Sequence, residues 1–199
     1  MYHTRYTIYQ VPPNLRAPAA GTVTRPDVSL SLAGTGGQAQ KRPFQVFYVP
    51  QKPYLVSGSL RDQVMYPLCG DSTEYNNRDD EVLEALRQVN LLKLVDAQPQ
   101  GLDHTPHDWA DVLSGGEKQR VGLARLYFHK PSYAVLDEAT SAINPDEEGS
   151  FYHHLSTLGI TAFSIAHRLE LKKFHHQHLH FHADGTGGWT MSRINTSSE

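Results

Sequence analysis

Leu113-Ser114-Gly115-Gly116-Glu117-Lys118-Gln119-Arg120, followed by Tyr133-Ala134-Val135-Leu136-Asp137-Glu138, is the stretch that decides how this chain folds. Two glycines at a helix start leave backbone N–H groups open and let an anion come close, and Ser114 adds a hydroxyl beside them. A plain glycine-rich helix cap would use the same residues. The residues downstream of Arg120 separate the two readings. Val121, Leu123, Ala124, Leu126 and Tyr127 fit one buried helix face, and Pro131 stops the helix. A short apolar run then ends in Asp137-Glu138, as a buried parallel strand would. An acidic pair at a strand tip beside a phosphate site suits divalent-cation binding by one carboxylate and water activation by the other.

Outward from that core the rhythm continues. Pro145 opens a helix through about Leu158, and Ile160 to Ile165 is another apolar run, ending at His167. Leu179–Phe181 and Trp189–Met191 read as edge strands around the glycine turn Gly185 to Gly188. On the N-terminal side, Phe44 to Val49 reads as a strand closed by Pro50, and Ser59 caps a short helix at Leu60–Met65. Asp80 is expected to cap a helix carrying Val82, Leu83, Leu86, Val89 and Leu92, with a loop from there to about Val112. Strand–helix alternation of this kind implies an α/β fold with a parallel sheet, whose ligands bind beyond the carboxyl ends of the strands. Asp137, Glu138 and His167 all sit at such ends. Residues 1–43 read as irregular, broken by Pro12, Pro13, Pro18 and Pro26, with Val28 to Leu32 as an orphan strand at most.

These motifs together resemble an ABC-type nucleotide-binding domain. Leu113–Glu117 resembles the signature, Ala134–Glu138 the Walker B strand, Ser141-Ala142 the D-loop, and His167 the switch histidine. Gln51, in Val49-Pro50-Gln51-Lys52-Pro53-Tyr54, resembles the Q-loop glutamine. Tyr48 to Tyr54, Leu60 to Pro67, Trp109 to Leu113 and Gly187-Gly188-Trp189 are similar to subfamily D half-transporters, mostly peroxisomal importers of fatty acids and their CoA esters. The likeness covers residues 44–194, leaving 195–199 as a tail. It implies a P-loop NTPase-type ABC ATPase fold, a parallel sheet with a helical subdomain, and ATP with Mg²⁺ as cofactors. By the same resemblance Asp137 and Gln51 serve the metal, Glu138 polarises the attacking water, and His167 stabilises the γ-phosphate. Ser114, Gly115 and Gly116 would face the nucleotide of a second half-transporter. The expected location is the cytosolic face of the peroxisomal membrane, with lysosomal or ER membranes as alternatives, and the transmembrane helices are expected to precede this region.

The pattern breaks upstream. A P-loop needs a lysine between a glycine and a Ser or Thr. None of Lys41, Lys52, Lys93, Lys118, Lys130, Lys172 and Lys173 has those neighbours. Gly34-Thr35-Gly36-Gly37 is the nearest imitation, and Asn144 stands where many D-loops carry Asp. Two functions therefore stay open: a transporter ATPase domain truncated before the Q-loop, and a non-catalytic product that only pairs with an intact domain.

Bulk composition excludes other classes. The 199 residues carry a formal charge of −3, so no basic excess argues for a nucleic-acid partner, and the coiled-coil heptads of DNA-repair ATPases are absent. The single Cys69 rules out an internal disulfide framework. No run approaches the ~18 apolar residues of a membrane helix, and no signal-peptide core follows Met1. The chain accordingly reads as soluble. Of the 12 histidines, His178, His180 and His182 would share one strand face. Without a Cys or carboxylate to complete a closed site, they read as a solvated edge before they read as a metal centre. Lys118 and Arg120 read as a solvated helix face, and Trp109 as a packing residue.

Overall fold

In the computed structural model, which describes residues 46–68, 78–141, 143–182 and 188–194, three strands form a parallel sheet in the order β1-β2-β3. These are Val46–Val49 (β1), Tyr133–Asp137 (β2) and Thr161–Ile165 (β3). Tyr48 stands opposite Val135, and Asp137 opposite Ile165. Strand β2 lies between its neighbours, with Ala134 and Leu136 fully enclosed. That burial on both faces explains its unbroken apolar run.

Parallel neighbours need long crossovers. The β1–β2 connection holds five helices: α1 (Leu60–Met65), α2 (Asp79–Gln88), α3 (Leu92–Ala97), α4 (Trp109–Val112) and α5 (Gly115–His129). The β2–β3 connection holds α6, Pro145–Thr157. The predicted boundaries of α1, α5, β2 and α6 are close to those observed, and those of the three helices are set by local devices. Ser59 and Ser114 form reciprocal capping boxes with Asp62 and Glu117, and Asn144 caps α6 ahead of Pro145.

Two expectations are corrected. Asp80 does not cap α2: the helix already runs from Asp79, and Arg78 holds the cap position while its guanidinium bonds Glu81. Leu92 is not its last turn either, because Asn90 adopts a left-handed backbone at φ 56° and the chain re-enters as α3. The stretch read as one loop to Val112 therefore holds α3, α4 and a 3-10 turn at Gly101–Asp103. The expected orphan strand 28–32 and the Gly34–Gly37 segment lie outside the described residues.

The core is shared between helices and sheet. Leu60, Val64, Leu86, Leu123, Leu126, Leu136 and Ile160 are all buried in one cluster. Buried Arg125 ties α5 to α1, its Nε donating to the Gln63 carbonyl at 2.6 Å with the guanidinium 5.0 Å from the Tyr66 ring centre. Burial pulls that guanidinium down to about 10. At Gly122 the helix meets the segment after β1 so closely that a Cβ would stand 2.9 Å from Pro53 Cγ.

Beyond β3, a 3-10 segment (Leu169–Phe174) leads to β4 (Gln177–Phe181) and β5 (Trp189–Arg193). The two expected edge strands pair with each other, antiparallel, as a separate two-stranded sheet.

Candidate functional site at the carboxyl edge of the sheet

The three parallel strands deliver their following residues to one edge. Gln51 follows β1, Asp137 ends β2 with Glu138 next, and His167 follows β3. Glu138 leaves the strand in the left-handed region at φ 49°, a conformation that costs a non-glycine residue energy and turns the chain sharply. Its N–H still donates to the Ile165 carbonyl at 2.9 Å, which holds the turn against β3.

The carboxylate of Glu138 is gripped from two sides. Gln51 Nε2 donates to Oε2 at 2.9 Å, and His167 Nε2 stands 3.1 Å from Oε1. The Glu138 side chain is 26% exposed and that of His167 is 80% exposed, so the group sits at a water-accessible rim. Asp137 is more enclosed, and its Oδ2 accepts the Tyr48 hydroxyl at 2.8 Å. Burial, that hydrogen bond and the charge of Asp137 raise the phenol to about 12, so Tyr48 keeps its proton.

A second ring of bonds joins this edge to α5. Gln119 Nε2 donates to the Gln51 carbonyl at 3.2 Å and to Ser141 Oγ at 2.8 Å. Ser141 in turn donates to the Glu138 carbonyl at 3.0 Å. Tyr48 and Gln119 are the residues that reading the sequence missed. Tyr48 is visible as part of a strand, but its reach to Asp137 depends on the β1–β2 register. Gln119 lies in the quoted stretch, with no local sign that it faces Gln51. Ala142, beside Ser141, lies outside the described residues.

Ser114, Gly115 and Gly116 open α5 as expected, and a Cβ on either glycine would meet nothing within 4 Å. The Ser114 hydroxyl, read as a free donor, is engaged: it donates to Glu117 Oε2 at 2.6 Å, and the Ser114 N–H donates to the same oxygen at 2.8 Å. Those bonds hold the Glu117 carboxyl below its usual range. Lys118 and Arg120 are half-buried rather than on a solvated face. Lys118 Nζ donates to the Ala110 carbonyl at 2.6 Å, and Arg120 lines a cavity of about 260 Å³ between α2, α5 and α6.

Much of the histidine surplus packs. His175 is buried against Ser164 and the Leu171 carbonyl, and His104 and His154 lie edge-on or tilted against Trp109 and Tyr127. Trp109 is buried, as expected, with Nε1 donating to the Gly58 carbonyl at 2.9 Å. His178, His180 and His182 do form a ladder, with ring centres 5.9 and 5.7 Å apart. Burial, Lys172 and His180 hold His178 below its usual range. Among the described residues no group of three His, Cys, Asp or Glu side chains is arranged to hold a metal ion. Nor is any helix among them long and apolar enough to cross a membrane.

A cation at this edge would need oxygen ligands if it were magnesium. The Asp137 carboxylate supplies them, and Gln51, whose amide NH₂ is spent on Glu138, keeps its side-chain carbonyl for the same use.

The family model described as ABC transporter matches residues 7–141, extending into the N-terminal segment where the sequence by itself suggests no match. ATP-binding cassette sub-family D member 3 of Homo sapiens is 46% identical over 151 residues, covering 75% of this chain and 22% of the relative. ABC transporter D family member 2 of Dictyostelium discoideum is 42% identical over 159 residues, covering 80% and 21%. The lysosomal cobalamin transporter ABCD4 of Mus musculus is 44% identical over 154 residues, covering 76% and 25%. The chain thus spans between a fifth and a quarter of the length of these relatives. Among solved structures, a bacterial Atm1-family ABC exporter with ATP bound aligns with a TM-score of 0.56 at 29% identity, over 69% of this chain and 23% of that one.

Proposed function

The chain belongs to the ABC transporter family, and from that premise we propose that it is part of the ATP-hydrolysing domain of a subfamily D half-transporter moving fatty acids or their CoA esters. The observation that carries this reading is the double grip on Glu138, by Gln51 and His167, beside an Asp137 held by Tyr48. Among the described residues, only Glu138 has its carboxylate both at the water-accessible rim and bonded from two neighbouring strand ends.

When bound, ATP supplies the phosphoanhydride to be cleaved and Mg²⁺ neutralises charge on its phosphates. Asp137 and the Gln51 side-chain carbonyl are the residues that would hold the cation. Glu138 is the base that orients and takes a proton from water, and His167, at the exposed rim, would donate to the terminal phosphate. Both Glu138 oxygens are occupied in this arrangement. Each oxygen keeps a second lone pair, and at this water-accessible rim a water can reach it while both bonds hold. Ser114, Gly115 and Gly116 serve the nucleotide of a second domain, for which Ser114 exchanges Glu117 for phosphate.

A peroxisomal or related membrane, with this domain on its cytosolic face, is the location we propose, and the likeness to subfamily D relatives supports it. A second reading rests on one observation: no lysine in the sequence stands between a glycine and a Ser or Thr. On that reading the chain pairs with an intact domain and lends it Ser114–Gly116 without hydrolysing ATP at its own edge. Titration of the purified chain with fluorescent ATP and Mg²⁺ separates the two. Saturable binding that Asp137→Ala weakens supports the catalytic reading. A folded chain that binds no ATP alone, but stimulates an intact subfamily D domain, supports the second.

A further inference from the structure

The β4–β5 hairpin ends on a strand whose outer edge meets no other strand among the described residues. All five residues of β5 are exposed. Trp189, Met191 and Arg193 point to one face, and Thr190 and Ser192 to the other. Trp189 stands opposite Phe181 and Met191 opposite Leu179, so one face carries a block of four apolar side chains. Of these, Trp189 is 58% exposed and Met191 54%. A two-stranded hairpin is marginal in water, and an unblocked edge of this kind is a template for another strand.

The register fixes which backbone groups are free. His182 N–H donates to the Gly188 carbonyl at 2.8 Å, and Ile194 N–H to the His176 carbonyl at 2.9 Å. Even-numbered residues of β5 therefore aim their backbone groups at β4. The amides and carbonyls of Trp189, Met191 and Arg193 point outward.

We propose that β5 pairs antiparallel with β5 of a second copy of this chain, about a two-fold axis through Met191. In that register each Met191 faces its counterpart, and Trp189 of either copy faces Arg193 of the other. All three are hydrogen-bonded pairs, so every outward amide and carbonyl of the strand is used. The guanidinium of Arg193 lies against an indole rather than another cation, which is attractive. On the reverse face Thr190 meets Ser192, a hydroxyl pair suited to a cross-strand contact. Moving the axis to Thr190 or Ser192 leaves an end residue without a partner in the strand. The product is an isologous four-stranded sheet whose apolar block is doubled and continuous. The histidine ladder lies on the opposite face, away from the doubled block.

Sedimentation of the whole chain over a dilution series tests this. The wild type is expected to form a concentration-dependent dimer. Met191→Lys and Met191→Glu each set like charges on the axis and are expected to weaken it at least ~tenfold. An equimolar mixture of the two variants is expected to regain dimer, seen as the heterodimer by native mass spectrometry, with circular dichroism matching the wild type throughout. A wild type that stays monomeric to roughly 1 mM, the weak end of specific association, overturns the proposal. So does a dimer indifferent to Met191→Lys, or a mixture that pairs no better than either variant alone.

Discussion

Gln51 and Glu138, 87 residues apart in the chain, share a hydrogen bond of 2.9 Å that fixes the orientation of the carboxylate. The bond joins the segment after β1 to the turn after β2, so the proposed base is held by a neighbour that belongs to another strand. Its removal tests the proposed chemistry without disturbing the core.

Glu138→Gln keeps the size of the side chain and its bond to Gln51 after an amide flip, but removes the base. Paired with an intact subfamily D domain, the variant is expected to lose at least ~100-fold in ATP hydrolysis at this edge while nucleotide-dependent pairing persists. Phosphate release and pairing are measured on the same sample. Wild-type turnover in the variant removes Glu138 from its role.

Arg168 pairs with Glu148, whose side chain is only 4% exposed, and also reaches Thr140. Arg168→Met strands a buried carboxylate and is expected to cost about 2 kcal/mol in urea unfolding. The figure stays below that of a fully enclosed pair because the Arg168 side chain is 39% exposed. The double change with Glu148→Leu is expected to recover most of the loss, since it leaves no unpaired charge.

His129 is buried against the Tyr66 carbonyl and stacked on Phe47, and burial depresses its pKa from 6.5 to about 4. The unfolded chain therefore takes up a proton that the folded one refuses between those values. This contribution to stability is present above pH 6.5 and is lost as pH falls toward 4, by about 1.4 kcal/mol per unit of the shift. Urea midpoints are expected to fall over that window, and His129→Gln is expected to flatten the slope. An unchanged slope refutes the assignment.

Gly122→Ala places a Cβ 2.9 Å from Pro53 Cγ and 3.3 Å from Val49 Cγ1. The change is expected to cost about 1–3 kcal/mol and to displace Gln51, two residues before Pro53. Denaturation reads the first effect, and ATP-dependent quenching of a probe beside Gln51 the second.

How much can be read from the residues alone depends on how locally each feature is made. The start of α1 is legible because Ser59 and Asp62 cap it within one turn, and α6 because Asn144 and Pro145 stand at its entry. Helix α3 is not, since its six residues offer one buried side chain, Leu94, and no side-chain cap. Within the site, Asp137, Glu138 and His167 are legible as strand-end residues, and Gln51 through the resemblance of its segment to a Q-loop. Tyr48 and Gln119 are not, because their bonds depend on how β1 lies on β2 and how α5 lies across the sheet. The same holds for Ser114, whose hydroxyl looks available until Glu117 is placed beside it.

The contact between Gly122 and Pro53 gives α5 a fulcrum. Gln119 lies three residues from that point, roughly 4.5 Å along the axis, and Ser114 eight residues, roughly 12 Å, at 1.5 Å of rise per residue. A tilt of the helix that shifts Gln119 by a given amount carries Ser114 between two and three times as far. A small adjustment at Gln119, beside Gln51, is thus amplified at Ser114, the end proposed to serve a second domain.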